Sequence, residues 1–269
     1  MSVNICVAGV TGWTGSAIAG SVLDSSEFRL VGGVARRAEG QDVGEAIGRD
    51  ACGVRISGTV EDALKAHTDV LIDYTHPSVV RDHVELALNR KVRAVIGTSG
   101  LTGEDYRELD RLALECGIGV IAAGNFSLTA ALGKHFAGIA ARHIPHWEII
   151  DYAPGDKPDS PAGTTQELAE YLGTVSTNVF ERPVSETHGE RDARGATVGG
   201  AQVHSVRLPG YVLSFEAIFG LPNERLSIRH DAGSGAEPYV GGTLLAARRV
   251  MGIQGLTRGL DTLLFGSSK

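Results

Sequence analysis

Cysteine is scarce in this chain: three in 269 residues (Cys6, Cys52 and Cys116), with no two at the spacing of a zinc-ligand pair. That argues against a disulfide framework or a zinc centre and fits a reducing, cytoplasmic setting. Cys6 lies among apolar residues and reads as core. No stretch approaches the roughly 20 apolar residues that a membrane helix needs. The opening MSVNICVAGVTG has neither a basic leader nor a small-residue cleavage site, so no export signal is expected. Basic residues are outnumbered, 25 Lys+Arg against 32 Asp+Glu, for a formal net charge of −7. They are dispersed, the closest pairs being Arg36-Arg37 and Arg248-Arg249, so a nucleic-acid partner is not expected. His143 and His146 stand three apart without a further ligand at metal-site spacing, and no metal centre is expected. What the chain has in plenty is glycine. Its 36 glycines are aperiodic and gather at turns, where backbone bends sharply or comes close to something.

From Val3 to about Asn125 the pattern alternates strand and helix. Strands are expected at Asn4–Ala8, Phe28–Val34, Val70–Tyr74, Val92–Ile96 and Ile118–Ala122, and helices at Ser16–Leu23, Glu61–Ala66, Val79–Asn89 and Glu104–Cys116. Glu39–Gly53 reads as a long exposed loop. Short apolar strands separated by helices imply an α/β fold with a doubly wound parallel sheet. After Asn125 the character changes. A helix at Ala130–Ala141, a strand at Trp147–Tyr152, a loop over Ala153–Pro161 and a helix at Thr164–Leu172 are followed by strands at Gly199–Leu208, Val212–Phe219 and Arg225–His230. Without helices between them, these strands are expected to be antiparallel and to form an α+β layer. A last helix is expected at Gly241–Met251.

Gly9, Gly12 and Gly15 follow directly on the first strand and lead into the first helix. This G-x-x-G-x-x-G spacing, in a strand-turn-helix setting, lets bare backbone approach a pyrophosphate at a helix N-terminus. Thr11, Trp13 and Thr14 between the glycines are expected at the cofactor too, Trp13 packing beside the dinucleotide. An acidic residue at the end of the second strand would hold the ribose hydroxyl of NAD; here stand Arg36 and Arg37, which suit a 2′-phosphate. NADPH is therefore expected, with NADH as the alternative.

Several segments in order then resemble the dihydrodipicolinate reductase family of the lysine pathway. They are Val7-Ala8-Gly9-x-x-Gly12, Asp73-Tyr74-Thr75-His76-Pro77, Gly97-Thr98-Ser99-Gly100 and Asn125-Phe126-Ser127. Lys157-x-Asp159-x-Pro161-x-Gly163-Thr164 and Glu224-Arg225-Leu226-x-Ile228-x-His230 complete the set, which spans nearly the whole chain. The resemblance implies a Rossmann-type domain at residues 1–125 and 239–269, and a central α+β domain at 126–238 that binds substrate and assembles homotetramers. It also implies that Tyr74, Thr75, Gly97, Thr98, Ser99, Asn125 and Phe126 line the cofactor site. His76 stands where the family often has arginine.

The family's substrate loop reads E-x-H-H-x-x-K-x-D-x-P-S-G-T, and Asp151–Thr164 aligns with it without gaps. The two histidines, the first taken as proton donor, fall on Ala153 and Pro154, neither of which transfers a proton. The family's carboxylate-binding arginine beyond His230 is replaced by Ser234-Gly235. Lys157 remains as the candidate catalytic cation, and Asp159, Gly163 and Thr164 as candidate substrate-binding residues, the last two offering N–H groups and a hydroxyl at a helix start. Lys157, Asp156, Asp159, Tyr152 and water are the candidate proton donors; an iminium substrate would arrive with its own proton. Three readings stay open: reduction of a C=N or conjugated C=C in the cyclic lysine precursor, reduction of a different imine or carbonyl compound, and a catalytically silent NADP-binding sensor or scaffold.

Overall fold

A computed structural model describes residues 2–266. In chain order the elements are β1 (Val3–Ala8), α1 (Trp13–Leu23), β2 (Phe28–Val34), α2 (Val43–Ala46), β3 (Ile56–Ser57), α3 (Val60–Ala63), β4 (Val70–Asp73), α4 (Pro77–Asn89), β5 (Arg93–Ile96), α5 (Gly103–Cys116) and β6 (Gly119–Ala122). They continue with α6 (Leu128–Ala141), β7 (Trp147–Ala153), α7 (Gly163–Val175), β8 (Ala196–Val198), β9 (Ala201–Arg207), β10 (Leu213–Leu221), β11 (Glu224–Ala232), α8 (Glu237–Arg249), β12 (Gly255–Arg258) and α9 (Leu260–Phe265). The chain divides into two compact units, one running to Leu128 and resuming at Ala236, the other spanning Thr129–Gly235.

The first unit holds a seven-stranded sheet in the order β12-β6-β5-β4-β1-β2-β3, and all its strand pairs are parallel. Strands buried on both faces are mostly apolar, and every residue of β4 and β6 is buried, the one charged residue among them being Asp73 at the end of β4. Val84, Leu88 and Leu109 of α4 and α5 pack with Ala94, Ile96 and Val120 in one cluster. Truncating a side chain such as Leu109 to alanine there costs about 2–5 kcal/mol. The helices start and stop where local chemistry dictates. Pro77 opens α4 and Thr102 and Asp105 form a reciprocal capping box at α5, which ends on Gly117 at φ 70°.

The second unit holds a five-stranded sheet in the order β11-β10-β7-β9-β8. Its core joins Ala137, Ala141, Leu168 and Leu172 of α6 and α7 to Trp147, Ile149, Phe215 and Phe219 of the sheet. Burial alternates along β7, so Trp147, Ile149, Asp151 and Ala153 face this core while Glu148, Ile150 and Tyr152 face the other way.

Several sequence expectations need correction. The pair β7–β9 is parallel, because α7 supplies the crossover between them; only β10–β11, β10–β7 and β8–β9 are antiparallel. The single strand expected at Gly199–Leu208 begins only at Ala201, since Gly199 and Gly200 take φ of 56° and 83° and turn a hairpin. The stretch Glu39–Gly53 contains α2, capped by the Asp42 carboxylate, and fully buries Val43, whose methyl packs over Gly33. The helix expected at Glu61–Ala66 is one turn, Val60–Ala63. β3, β8, β12 and α9 had no counterpart in the sequence reading. Cys6 is fully buried, and its thiol is pushed up to about 12, first by burial and then by the nearby Asp73 charge.

Candidate functional site

In the first unit the glycine loop divides its labour. Gly9 has φ 81°, and a Cβ on it would lie 2.2 Å from the Tyr74 carbonyl oxygen. A Cβ on Gly15 would lie 2.0 Å from the Gly9 carbonyl oxygen, so these two glycines let strand, turn and helix close on one another. Gly12 is different. It sits at φ −73°, ψ 167° as N-cap of α1 and has no side chain to cap the helix. The first turn of α1 holds no acidic residue, so its N–H groups and partial positive charge face outward unopposed. Thr11, Gly12 and Trp13 are exposed around it and Thr14 is half-buried. The Trp13 ring is 57% exposed and meets the Tyr239 ring edge-on, 5.8 Å between centroids. The residues present fit a diphosphate.

Arg36 and Arg37 occupy a short 3₁₀ turn directly after β2, both exposed. Among the described residues neither guanidinium makes a hydrogen bond or ion pair. Their donors are open to an anionic group.

The loops that follow β4 and β5 adjoin this glycine turn along the sheet. The Tyr74 ring lies beneath Gly97, where a Cβ would come within 2.1 Å of it, and its hydroxyl bonds Thr243 Oγ1 at 2.7 Å. Burial holds its pKa well above the ordinary tyrosine value. Thr75 and Thr98 both bond the buried carboxylate of Asp73, whose other oxygen receives His83 Nδ1 at 2.8 Å. Ser99 is exposed, Asn125 Oδ1 accepts the Ser127 N–H at 2.8 Å, and Phe126 is buried 6.3 Å from the Tyr74 ring. His76 caps α4 through Nδ1, which accepts the Ser78 N–H at 3.2 Å. Sequence reasoning named Asp73 only as part of a match and did not see His83. The available signal was an acid closing an apolar strand, which must find partners if buried; nothing in the sequence identified them.

In the second unit, Lys157 Nζ lies 2.6 Å from Asp159 Oδ1. The lysine hydrogen bond holds the Asp159 carboxyl below the usual aspartate range. The loop is fastened by Asp151 and Arg207, both missed from sequence. Fully buried Asp151 accepts from Ala162 N–H at 3.0 Å, Thr165 Oγ1 at 2.8 Å, Ser205 Oγ at 3.1 Å and Arg207 Nη2 at 2.7 Å. The same Arg207 nitrogen donates to the Asp159 carbonyl at 2.7 Å. Gly163 and Thr164 begin α7 behind an N-cap, Ala162, that has no side-chain hydrogen bond, and the first turn holds no acid. Gly163 is exposed, and a Cβ there would meet nothing within 4 Å. A helix start of this kind suits an anion.

Tyr152 leaves the field of candidate proton donors. Strand alternation sends it to the face opposite Asp151 and Ala153, where its hydroxyl donates to Glu216 Oε2 at 3.1 Å and Arg229 lies 4.9 Å from its ring centre. Burial, then the Glu216 bond, raises its pKa. Asp156 is exposed at the loop tip, and Ala153 is fully buried.

A doubly wound parallel sheet with a glycine turn at the carboxyl end of β1 defines a protein of the Rossmann type. Family models described as "Dihydrodipicolinate reductase, N-terminus" and "Dihydrodipicolinate reductase, C-terminus" match residues 3–126 and 127–264. The chain belongs to the dihydrodipicolinate reductase family and is an NAD(P)H-dependent reductase. It is 34% identical over 264 residues to the 4-hydroxy-tetrahydrodipicolinate reductase of Desulfitobacterium hafniense (strain DSM 10664 / DCB-2), covering 97% of this chain and 98% of that one. It is 36% identical over 267 residues to the enzyme of the same name from Moorella thermoacetica, covering 98% of each. A solved structure, dipicolinate-bound dihydrodipicolinate reductase from Paenisporosarcina sp. TG-14, superposes with a TM-score of 0.85 at 30% identity, covering 98% of this chain and all of that one.

Proposed function

We propose that this protein is an NADPH-dependent reductase acting on a C=N or conjugated C=C bond of a small unsaturated carboxylate. The observation that carries this reading is the start of α7 at Gly163-Thr164, which no side chain of its N-cap residue closes, with the Lys157 loop before it fastened by the Asp151–Arg207 pair. A carboxylate on the substrate would take the α7 N–H groups and the Thr164 hydroxyl, with Lys157 supplying the charge. The relative from Paenisporosarcina carries dipicolinate, a ligand of that chemistry. Gly12 and the first turn of α1 would hold the diphosphate, and Arg36 and Arg37 the 2′-phosphate, which favours NADPH over NADH. Tyr74, Thr75, Gly97, Thr98, Ser99, Asn125 and Phe126 would line the remainder of that site. The bound nicotinamide supplies the hydride. Protonation falls to Lys157 or to the substrate itself, because Ala153 and Pro154 carry no acid.

That same absence supports a second reading, in which the substrate is a different iminium or carbonyl compound that needs no enzyme acid. We also propose a cytoplasmic homotetramer. Supporting it, the sheet face bearing Glu148, Ile150 and Tyr152 lies outside the core of its unit. Among the described residues no helix is long and apolar enough to cross a membrane.

The test is NADPH oxidation by the purified protein with 4-hydroxy-tetrahydrodipicolinate, and in parallel with a panel of cyclic imines and of keto acids plus amines. Turnover with the first compound supports the family substrate, and turnover only within the panel supports the second reading. NADPH binding without oxidation of any compound would leave the sensor or scaffold.

A further inference from the structure

Asp73 closes β4 and is fully buried, a costly place for a carboxylate unless its oxygens are all engaged. They are. Oδ1 accepts from the Thr75 N–H at 3.0 Å, Thr75 Oγ1 at 2.7 Å and Thr98 Oγ1 at 2.8 Å, and Oδ2 faces His83 Nδ1 at 2.8 Å. Thr98 Oγ1 also accepts the Thr75 N–H at 2.8 Å. One side chain thus ties together the loop after β4, the loop after β5, and α4. Because an ionised carboxylate only accepts, Nδ1 of His83 carries the proton. Among the described residues this is the sole hydrogen bond of the His83 ring, which is 21% exposed.

The sheet order shows which half of a dinucleotide these loops serve. The strand sequence reverses between β1 and β4, and in such sheets each half takes one mononucleotide at the carboxyl ends of its strands. The β1–β3 half carries the glycine turn and the exposed Arg36 and Arg37, so it suits the phosphorylated adenosine. The Asp73 network belongs wholly to the other half.

We infer that Asp73 and His83 are positioning residues that fix the Thr75 and Thr98 loops for the nicotinamide end of the cofactor and leave the adenosine end untouched. This rests on the NADP(H) reading. His83 acts through Asp73 and touches no cofactor; its donated bond keeps the carboxylate turned so that a single oxygen can gather both threonines.

The test is calorimetric titration of the full-length protein with NADPH and, separately, with adenosine 2′,5′-bisphosphate, which lacks the nicotinamide half. His83→Ala is expected to weaken NADPH about tenfold, as for loss of one charge-assisted hydrogen bond, and to leave the bisphosphate unchanged. His83→Asn is expected to restore NADPH affinity, since its amide nitrogen sits the same number of bonds from Cα as Nδ1. Thr98→Val, which keeps shape and removes the hydroxyl with its bonds to Asp73 and to the Thr75 N–H, is expected to show the same selectivity should His83→Ala fold poorly. Equal weakening of both ligands, no weakening of either, or a selective loss that asparagine does not restore would overturn the inference. Failure of the wild type to bind either ligand would sink the NADP(H) reading, and this inference with it.

Discussion

Arg207 reaches the buried carboxylate of Asp151 at 2.7 Å from the position on β9 that stands in register with Ala153 on β7. Parallel pairing puts the two positions on one face of the sheet, so the guanidinium lies next to the place where the family pattern has its histidine. The pair fastens the Lys157 loop at two points, through Asp159 O and Ala162 N. It explains how the nine-residue loop between β7 and α7 keeps a defined geometry.

Removing the cation leaves a charge stranded. Arg207→Met should destabilise the fold by about 3 kcal/mol or more, because Asp151 is fully buried and would lose its ion-pair partner. Asp151→Asn/Arg207→Met together should cost less than the single change. Urea denaturation reads both, and an unchanged midpoint in the single variant would contradict the assigned role.

The glycines of the first loop should separate folding from binding. Gly9→Ala forces a Cβ to 2.2 Å from the Tyr74 oxygen at a left-handed φ, and a loss of about 2 kcal/mol or more in stability is expected. Gly12→Ala has an ordinary φ of −73° and brings its Cβ to 3.1 Å from the Gly9 oxygen, so it should cost much less stability than Gly9→Ala while weakening NADPH. Thermal melting and NADPH fluorescence, run side by side, check the contrast; full NADPH affinity in Gly12→Ala would displace the diphosphate from this helix.

Cofactor preference should follow the two free guanidiniums. Arg36→Ala/Arg37→Ala is expected to lower NADPH affinity about a hundredfold, at about tenfold per charge-assisted bond, and to leave NADH nearly unchanged. The NADPH advantage of the wild type should also shrink as salt is raised. Equal affinities for NADPH and NADH in the wild type would remove both arginines from the site.

Lys157→Ala should lower kcat/KM about a hundredfold if the lysine supplies charge or a proton to the substrate. Its pairing with Asp159 is pH-sensitive in a definite direction. The Asp159 carboxyl lies below its ordinary 3.8, so the pair is fully formed above that value and is lost only as pH falls through the lowered one. The pH profile of kcat/KM between neutrality and pH 5 should therefore carry no inflection from Asp159; one abolished by Asp159→Asn would refute this.

His230 gives the opposite kind of pH dependence. The ring is buried against Phe215 with only Nδ1 engaged, by Thr129 Oγ1 at 3.2 Å, and burial lowers its pKa below 6.5. The unfolded chain then takes up a proton that the folded chain refuses. Stability should be full above 6.5 and should decline as pH falls from there towards the lower folded value. Urea denaturation at pH 7.5 and pH 5.5 should show a drop in wild type that is smaller in His230→Gln.

How much of this was legible in the sequence follows the range of the interactions. The strands β1, β2, β4, β5 and β6 and their helices were legible because local periodicity reports burial directly. So was the glycine loop, since a strand-turn-helix with glycines at 9, 12 and 15 is a local demand of backbone geometry. The loss of acid at Ala153 and Pro154, and the survival of Lys157, were likewise written in adjacent residues. Other features were not. Gly199-Gly200 reads as part of one strand until the hairpin is seen, and the parallel pairing of β7 with β9 depends on where α7 lays the chain.

The sequence by itself determined which residues wear charge, where the chain must bend, and that a glycine turn joins the first strand to its helix. Only the tertiary structure decided which charges are buried and what answers them. Asp73 met His83 across ten residues and Asp151 met Arg207 across 56, distances at which no periodicity carries information. A buried carboxylate must be satisfied, but the chain does not announce by whom; packing chooses the partner.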